Sequence, residues 1–274
     1  MTSQLDLGAV RAVLLDMDGV LYVGNAPLPG VQDFLDYLER TGRAYLCVTN
    51  NASRTPAGFV EKLATMNVTV APEHIFSSAQ ATAMWLREQV DATGGAKGPV
   101  IMLGMEGLRT ALLEAGFELT DDPFAAAYAV AGAAFNLTFD QLADVTLAIR
   151  NGAQFVGTNP DTSFPSERGQ IPGTGSILKL LEAASGVTPS IVGKPNAAMF
   201  EIALHRLGVS PHATLMVGDR YETDIAGAIP LGLQTVGVLT GISTAAEFAA
   251  ASPPPAAVVD DLPALHGLFL GSDA

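Results

Sequence analysis

The stretch Ala12-Val13-Leu14-Leu15-Asp16-Met17-Asp18-Gly19-Val20 constrains this chain more than any other. Four apolar residues in a row predict a short strand buried on both faces of a sheet. Two carboxylates follow, one residue apart, and then a glycine. On an extended chain residues i and i+2 point the same way, so Asp16 and Asp18 would crowd like charge together. That is unfavourable unless a cation sits between them or one carboxyl keeps its proton. Asp-x-Asp-Gly also occurs in turns and calcium loops. Here the pair ends a core strand, where open α/β sheets place their active sites, and this favours the catalytic reading.

The rest of the chain supplies the sheet. After a glycine- and proline-punctuated loop or hairpin (22–30), Val31, Phe34, Leu35 and Leu38 follow helical spacing and Gly42 supplies the stop. Tyr45–Val48 is a second buried strand, Thr55-Pro56 caps and opens a helix, a short strand lies near Ile75-Phe76, and a helix runs from about Ser78 to Val90. Strand alternating with helix predicts a parallel α/β sheet. Asp91–Pro99 breaks the rhythm. Beyond it the pattern restarts on a smaller scale, with strands at 100–103, 117–119, 128–131 and 154–156 and helices at 106–115 and 139–150. A returning loop through Gly157–Asp161 and Pro172–Gly175 leads to a helix from about Ser176 to Ala184, and the first pattern resumes with a strand at 190–193. A helix closed by Gly208, buried strands at 214–217 and 235–238, a helix at 245–251 and a last strand at 257–259 complete it. The expectation is a Rossmann-like parallel-sheet core from 1–81 and 188–274, with a smaller α/β domain inserted at 82–187.

Composition narrows the function classes. Hydrophobic residues make up 49% of the 274 and charged residues 15%, which excludes global disorder. The formal net charge of −14 argues against broad binding to nucleic acid or anionic membrane, both of which need basic surface. The apolar runs break well before the ~20 residues of a membrane span, and Met1–Arg11 does not resemble a signal peptide. Cys47, the only cysteine, reads as a buried thiol in a strand. A reduced, cytoplasmic setting is expected. The four histidines are scattered without metal-ligand spacing.

Four polar clusters fall at predicted strand ends: Asp16/Asp18, Thr49/Asn50/Asn51, Lys194, and Asp219/Asp224. Each alone has an ordinary explanation, because Asn pairs form turns, Gly-Lys-Pro suits a solvated turn, and Gly-Asp commonly caps a helix. Together they supply what phosphoryl transfer to a carboxylate requires. Carboxylates from separate strands can hold Mg²⁺, one can act as nucleophile, a second can move protons, and a lysine with nearby donors can neutralise the phosphoryl oxygens.

Asp16-Met17-Asp18-Gly19-Val20, Thr49-Asn50-Asn51, Gly193-Lys194-Pro195 and Gly218-Asp219 with Asp224 resemble the four ordered motifs of the haloacid dehalogenase (HAD) superfamily. With Thr49–Arg54, Gly157–Asp161 and Pro172–Gly175, nearly the whole chain is similar to the NagD/4-nitrophenylphosphatase subfamily, whose C2a-type cap is inserted between the second and third motifs. The resemblance implies Asp16 as nucleophile and Asp18 as general acid/base, with the Asp18 main-chain carbonyl also reaching Mg²⁺. It implies Thr49 and Asn50, with Asn51 close by, as phosphate-binding residues, and Lys194 as the charge that balances Asp16 and the phosphate. It implies Asp219 as a direct Mg²⁺ ligand, Asp224 as support for the metal, and a homodimer through the cap. An acid at position 18 separates phosphatases and phosphomutases from dehalogenases, which expel halide without a proton. Mutases of the superfamily carry a helical cap between the first two motifs, and the roughly 30 residues there leave no room for one. A phosphomonoesterase acting on a small phosphorylated metabolite is the resulting expectation.

In the returning loop, Asn159, Asp161, Phe164 and Pro165 are candidates for substrate contact. Asn-Pro-Asp is equally a good turn, and Phe164 could simply pack. The subfamily implies nucleoside monophosphates, glycerol phosphate, phosphoglycolate or sugar phosphates as substrates; the missing histidine near Phe164 counts against pyridoxal phosphate. A phosphate-binding regulatory or interaction protein with little turnover is the alternative, and the intact Asp18 and the large insertion count against it.

Overall fold

The structure, a computed structural model, describes residues 5–94, 97–166 and 168–273. The chain forms two compact units: one from residues up to Thr49, Phe59–Phe76 and Ala203 onward, the other from Asn50–Gly58 and Ser77–Ile202.

The first unit carries a six-stranded sheet in the order Ala257–Val259, Gln234–Val238, Thr214–Gly218, Ala12–Asp16, Ala44–Thr49, Ile75–Ser77. The pairs from Ala257–Val259 across to Ala44–Thr49 are parallel. The central strands read as unbroken apolar runs because both faces are covered, and Val13, Leu14 and Leu15 are fully buried. Strand order reverses between Ala12–Asp16 and Thr214–Gly218. Such a switch point leaves a crevice at the strands' carboxyl ends, and Asp16 ends one of these two strands while Asp219 follows the other.

Helices cover the sheet by the expected periodicity. Val31–Arg40 buries Val31, Phe34, Leu35 and Leu38, and the chain turns out of it at Gly42 with φ 68°. Thr55 caps the Pro56–Ala64 helix, accepting a hydrogen bond from the Gly58 N–H at 3.1 Å. A C-terminal helix, Leu262–Asp273, lies outside the periodicity used above. It buries Leu262, Leu265 and Phe269, and Phe269 packs on Phe34 with ring centroids 5.8 Å apart.

The second unit has its own parallel sheet, Ser190–Ile191, Gln154–Gly157, Tyr128–Ala131, Val100–Leu103. Its helices include Ser78–Thr93, Glu106–Glu114, Phe139–Arg150 and Thr174–Ser185, and its core gathers Leu103, Val145, Ile149, Phe155 and Leu178. Capping boxes at Ser77/Gln80 and Thr138/Gln141 start two of these helices.

Four expectations need correction. The helix from Ser78 runs on to Thr93, because nothing before Gly94 (φ 64°) stops it; Gly95 and Ala96 of the expected break lie outside the described residues. Phe117–Leu119 forms only a bridge from Leu119 to Val100. The strand expected at 190–193 is two residues long and pairs with Gln154–Gly157 in the second sheet. The returning loop contains an antiparallel hairpin, Ser163–Ser166 with Gly169–Pro172, hidden from alternation analysis by its prolines. No helix among the described residues is long and apolar enough to cross a membrane.

Candidate active site

In the first unit the site is built where the two central strands end. Parallel register sets Leu15 opposite Val217, so Asp16 and Asp219 emerge at the same edge. The chain then makes one π-helical turn, Tyr221–Ile225, which buries Asp224. Such turns recur at functional sites because they re-aim a side chain that an α-helix would place elsewhere. One carboxylate oxygen from each of Asp16, Asp219 and Asp224 lies within 4.8 Å of the others. Asp219 and Asp224 are buried. Burying this much like charge is costly without a compensating cation, and an all-oxygen set of this size fits a hard divalent ion such as Mg²⁺.

Main-chain donors hold these carboxylates in place. The Ile242 N–H donates to Asp219 Oδ2 at 2.8 Å, the Ser243 N–H to the Asp219 carbonyl at 2.9 Å, and the Arg220 N–H to Asp224 Oδ2 at 3.2 Å. Thr240 Oγ1 donates to the Gly19 carbonyl at 2.5 Å. The segment after the Gln234–Val238 strand therefore clamps both Asp219 and the turn after Asp18, a role that the sequence reading missed. Its signal is Gly241, where a Cβ would fall 1.9 Å from Asp219 Oδ2.

Asp18 stands apart from the three-carboxylate group. The chain reverses after it through Gly19 (φ 84°), and the Tyr22 hydroxyl donates to Asp18 Oδ2 at 3.1 Å. Burial, reinforced by the charges of Asp18 and Asp16, raises the phenol far above its ordinary range, so Tyr22 remains a donor. Thr49 ends the neighbouring strand and is buried. Cys47 on that strand is a free, buried thiol; burial first, then the charge of Asp16, pushes it up to about 12, which leaves it protonated and inert.

The remaining candidates belong to the second unit and are knitted together there. Asn50 Nδ2 donates to Asp161 Oδ2 at 3.0 Å and to the Lys194 carbonyl at 2.9 Å, so both amide hydrogens are used within that unit. The Asn50 carbonyl accepts from Ser78 Oγ at 2.6 Å and from Asn159 Nδ2 at 2.7 Å. Asn159 Nδ2 also reaches Thr158 Oγ1 and Thr174 Oγ1, and Asn159 Oδ1 accepts from the Asp161 N–H. Asn51 Oδ1 accepts from the Ser53 N–H and hydroxyl. Lys194 is buried despite its charge. Phe164 packs against Phe135 with centroids 5.1 Å apart; the Pro165 side chain lies outside what the structure describes.

Comparison with known proteins shows the family. Residues 13–118 match the family described as Haloacid dehalogenase-like hydrolase, and residues 191–265 match a second, HAD-hydrolase-like family. The chain is 41% identical over 252 residues to an acid sugar phosphatase of Staphylococcus aureus, covering 92% of this chain and 95% of that protein. The chain belongs to the HAD-like hydrolases, in their NagD-like branch. Among solved structures, NagD from E. coli K-12 is 30% identical with a TM-score of 0.85, over 92% of this chain and 97% of that one. The glycerol phosphate phosphatase of Mycobacterium tuberculosis, in complex with magnesium, is 32% identical with a TM-score of 0.86, over 96% of this chain and 78% of that one.

Proposed function

We propose that this HAD-type phosphatase hydrolyses small phosphomonoesters through an aspartyl phosphate on Asp16, and the observation that carries the reading is the three-carboxylate group Asp16/Asp219/Asp224. Asp16, Asp219 and Asp224, with the Asp18 main-chain carbonyl, would hold Mg²⁺. When bound, Mg²⁺ lowers the repulsion between the Asp16 carboxylate and the phosphoryl oxygens and stabilises charge in the transition state. An Asp16 carboxylate oxygen attacks phosphorus, the bond from phosphorus to the ester oxygen breaks, and Asp18 delivers its proton to that oxygen. Asp18, now ionised, takes a proton from water as the water oxygen attacks phosphorus, and the bond from phosphorus to the Asp16 oxygen breaks. Inorganic phosphate leaves, and both carboxyl groups return to their starting states. Thr49, the main-chain N–H of Asn50 and the Lys194 ammonium are assigned to the phosphoryl oxygens. The Asn50 side-chain amide is left out of that set because it is committed to Asp161 and Lys194.

Sugar and polyol phosphates are the substrate class we favour, since the relatives named above are an acid sugar phosphatase and a glycerol phosphate phosphatase. We assign the inserted domain, expected at 82–187 and extended by the Ser190–Ile191 strand of its sheet, as the cap, with Asp161 and Phe164 as candidates for substrate selection, dimerisation through this domain, and a cytoplasmic setting. Asn159 is assigned to bracing the loop.

The test is phosphate release from a panel of esters, with and without Mg²⁺, by the wild-type enzyme and Asp16→Asn. Metal-dependent turnover that falls on the order of 10³-fold or more in the variant is expected. Turnover unchanged in Asp16→Asn would sink the covalent mechanism, and no release by folded, Mg²⁺-loaded protein would favour a phosphate-binding role.

A further inference from the structure

We infer that Tyr22 is a positioning residue for proton transfer: its phenol occupies Asp18 Oδ2, which assigns the travelling proton to Oδ1. The inference rests on Asp18 being the general acid/base.

The geometry begins with the main chain. The Leu21 N–H donates to the Met17 carbonyl at 2.8 Å and the Gly19 N–H to the Tyr22 carbonyl at 2.8 Å, so the turn folds Tyr22 back beside Asp18. A bridge joins Asp18 and Tyr22, and the short hairpin Tyr22–Val23 with Ala26–Pro27 continues from it. The Tyr22 side chain is completely buried. A buried tyrosine normally finds a partner for its hydroxyl, and here that partner is a carboxyl at the reaction centre, 3.1 Å away. Lys62 Nζ lies 3.7 Å from the centroid of the Tyr22 ring. A cation over the ring face both holds the ring and draws charge from it, making the phenol a stronger donor.

The chemical consequence is specific. A carboxyl that can rotate can carry its proton on either oxygen, and only one of them faces the ester oxygen productively. A donor fixed at Oδ2 removes the unproductive choice in both the acid and the base step. The burden on this alignment depends on the leaving group. An alkoxide from a polyol phosphate must be protonated as it departs, whereas 4-nitrophenolate leaves as a stabilised anion.

The experiment compares kcat/KM for glycerol phosphate and 4-nitrophenyl phosphate at saturating Mg²⁺. Tyr22→Phe keeps the ring, its burial and the Lys62 contact. It should lose roughly 10- to 100-fold on glycerol phosphate, the scale of a misaligned proton transfer, and under about 3-fold on the nitrophenyl ester. Equal losses on both esters, or no loss on either, would overturn the inference. Asp18→Asn, run in parallel, separates it from the underlying assignment. If Asp18→Asn lacks leaving-group selectivity, the acid reading itself fails. If Asp18→Asn is selective and Tyr22→Phe is not, only the Tyr22 role fails. Lys62→Met leaves the hydroxyl and the core intact and should show a smaller selective loss; equal losses there also count against the inference. It supplies the reading if Tyr22→Phe melts below the assay temperature.

Discussion

Each of the two units carries a parallel sheet with helices, yet the two central strands of the first and the strands Val100–Leu103 and Tyr128–Ala131 of the second end in opposite chemistry. In the first, Thr214–Gly218 leads into the buried carboxylates Asp219 and Asp224, held by main-chain N–H groups, and Ala12–Asp16 ends on the half-buried Asp16 beside them. In the second, the strands Val100–Leu103 and Tyr128–Ala131 lead into a hollow of about 270 Å³ lined by Met102, Gly104, Met105, Phe135 and Leu137 among others, with Asn136 and Gln141 as its uncharged polar groups. The first sheet reverses strand order at its centre, while the second runs in simple sequence from Val100 to Ile191. A βα layout alone therefore does not make a reaction centre. The switch point and the buried charge that it accommodates do.

The sharpest way to break this contrast is to damage the two regions separately. Phe155→Ala empties a core position of the second unit, where Phe155 is 3% exposed. It should cost about 3–5 kcal/mol in urea or thermal unfolding and leave the apparent Mg²⁺ affinity unchanged. A weakened metal response in folded Phe155→Ala protein would show that the second unit's core supports the carboxylates. Gly241→Ala makes the converse cut. Its new Cβ has no room beside Asp219 Oδ2, so the carboxylate or the clamping segment must shift. Weakening of Mg²⁺ by roughly 10- to 100-fold is expected, the usual penalty for disturbing a ligand's supporting shell. Titrating activity and thermal shift against Mg²⁺ checks this, and an unchanged midpoint would show that the Ile242 clamp is dispensable.

Much of this was legible in the sequence, for physical reasons that particular residues make plain. Strands such as Ala12–Asp16 announce themselves because burial on both faces demands an unbroken apolar run. Asp16 and Asp219 stand out because charges at the ends of such runs are unusual, and Asp224 follows from the resemblance of its segment to the fourth motif. What stayed hidden depends on geometry that no local pattern encodes. The role of Thr240, Gly241 and Ile242 arises only when the Gln234–Val238 strand is laid beside Thr214–Gly218. Ser190–Ile191 is too short to reveal which sheet it joins. Tyr22 read as an ordinary loop residue, since nothing in Asp-Gly-Val-Leu-Tyr tells that the turn brings the phenol back onto Asp18.

A carboxylate on the same unit but far along the chain sharpens the contrast at the small end of the scale. Asp273, in the last turn of the C-terminal helix, accepts from Arg43 Nη2 at 2.6 Å and Nη1 at 3.0 Å, and from the Tyr37 hydroxyl at 2.5 Å. The hydrogen bond from Arg43, then that from Tyr37, holds its carboxyl below the usual carboxylate range. Because the folded state lowers this pKa, the pair's contribution to stability is complete above the unfolded-state value of about 3.9 and fades as pH falls through the lower folded value. Asp273→Asn should therefore lower the melting temperature slightly at neutral pH, with the gap to wild type closing in acid. Metal-dependent activity should not change, because this carboxylate is tied to an arginine and a phenol instead of being crowded against other carboxylates. A melting difference independent of pH would assign Asp273 a role other than this ion pair, and a loss of Mg²⁺ response would show that this carboxylate bears on the metal group after all.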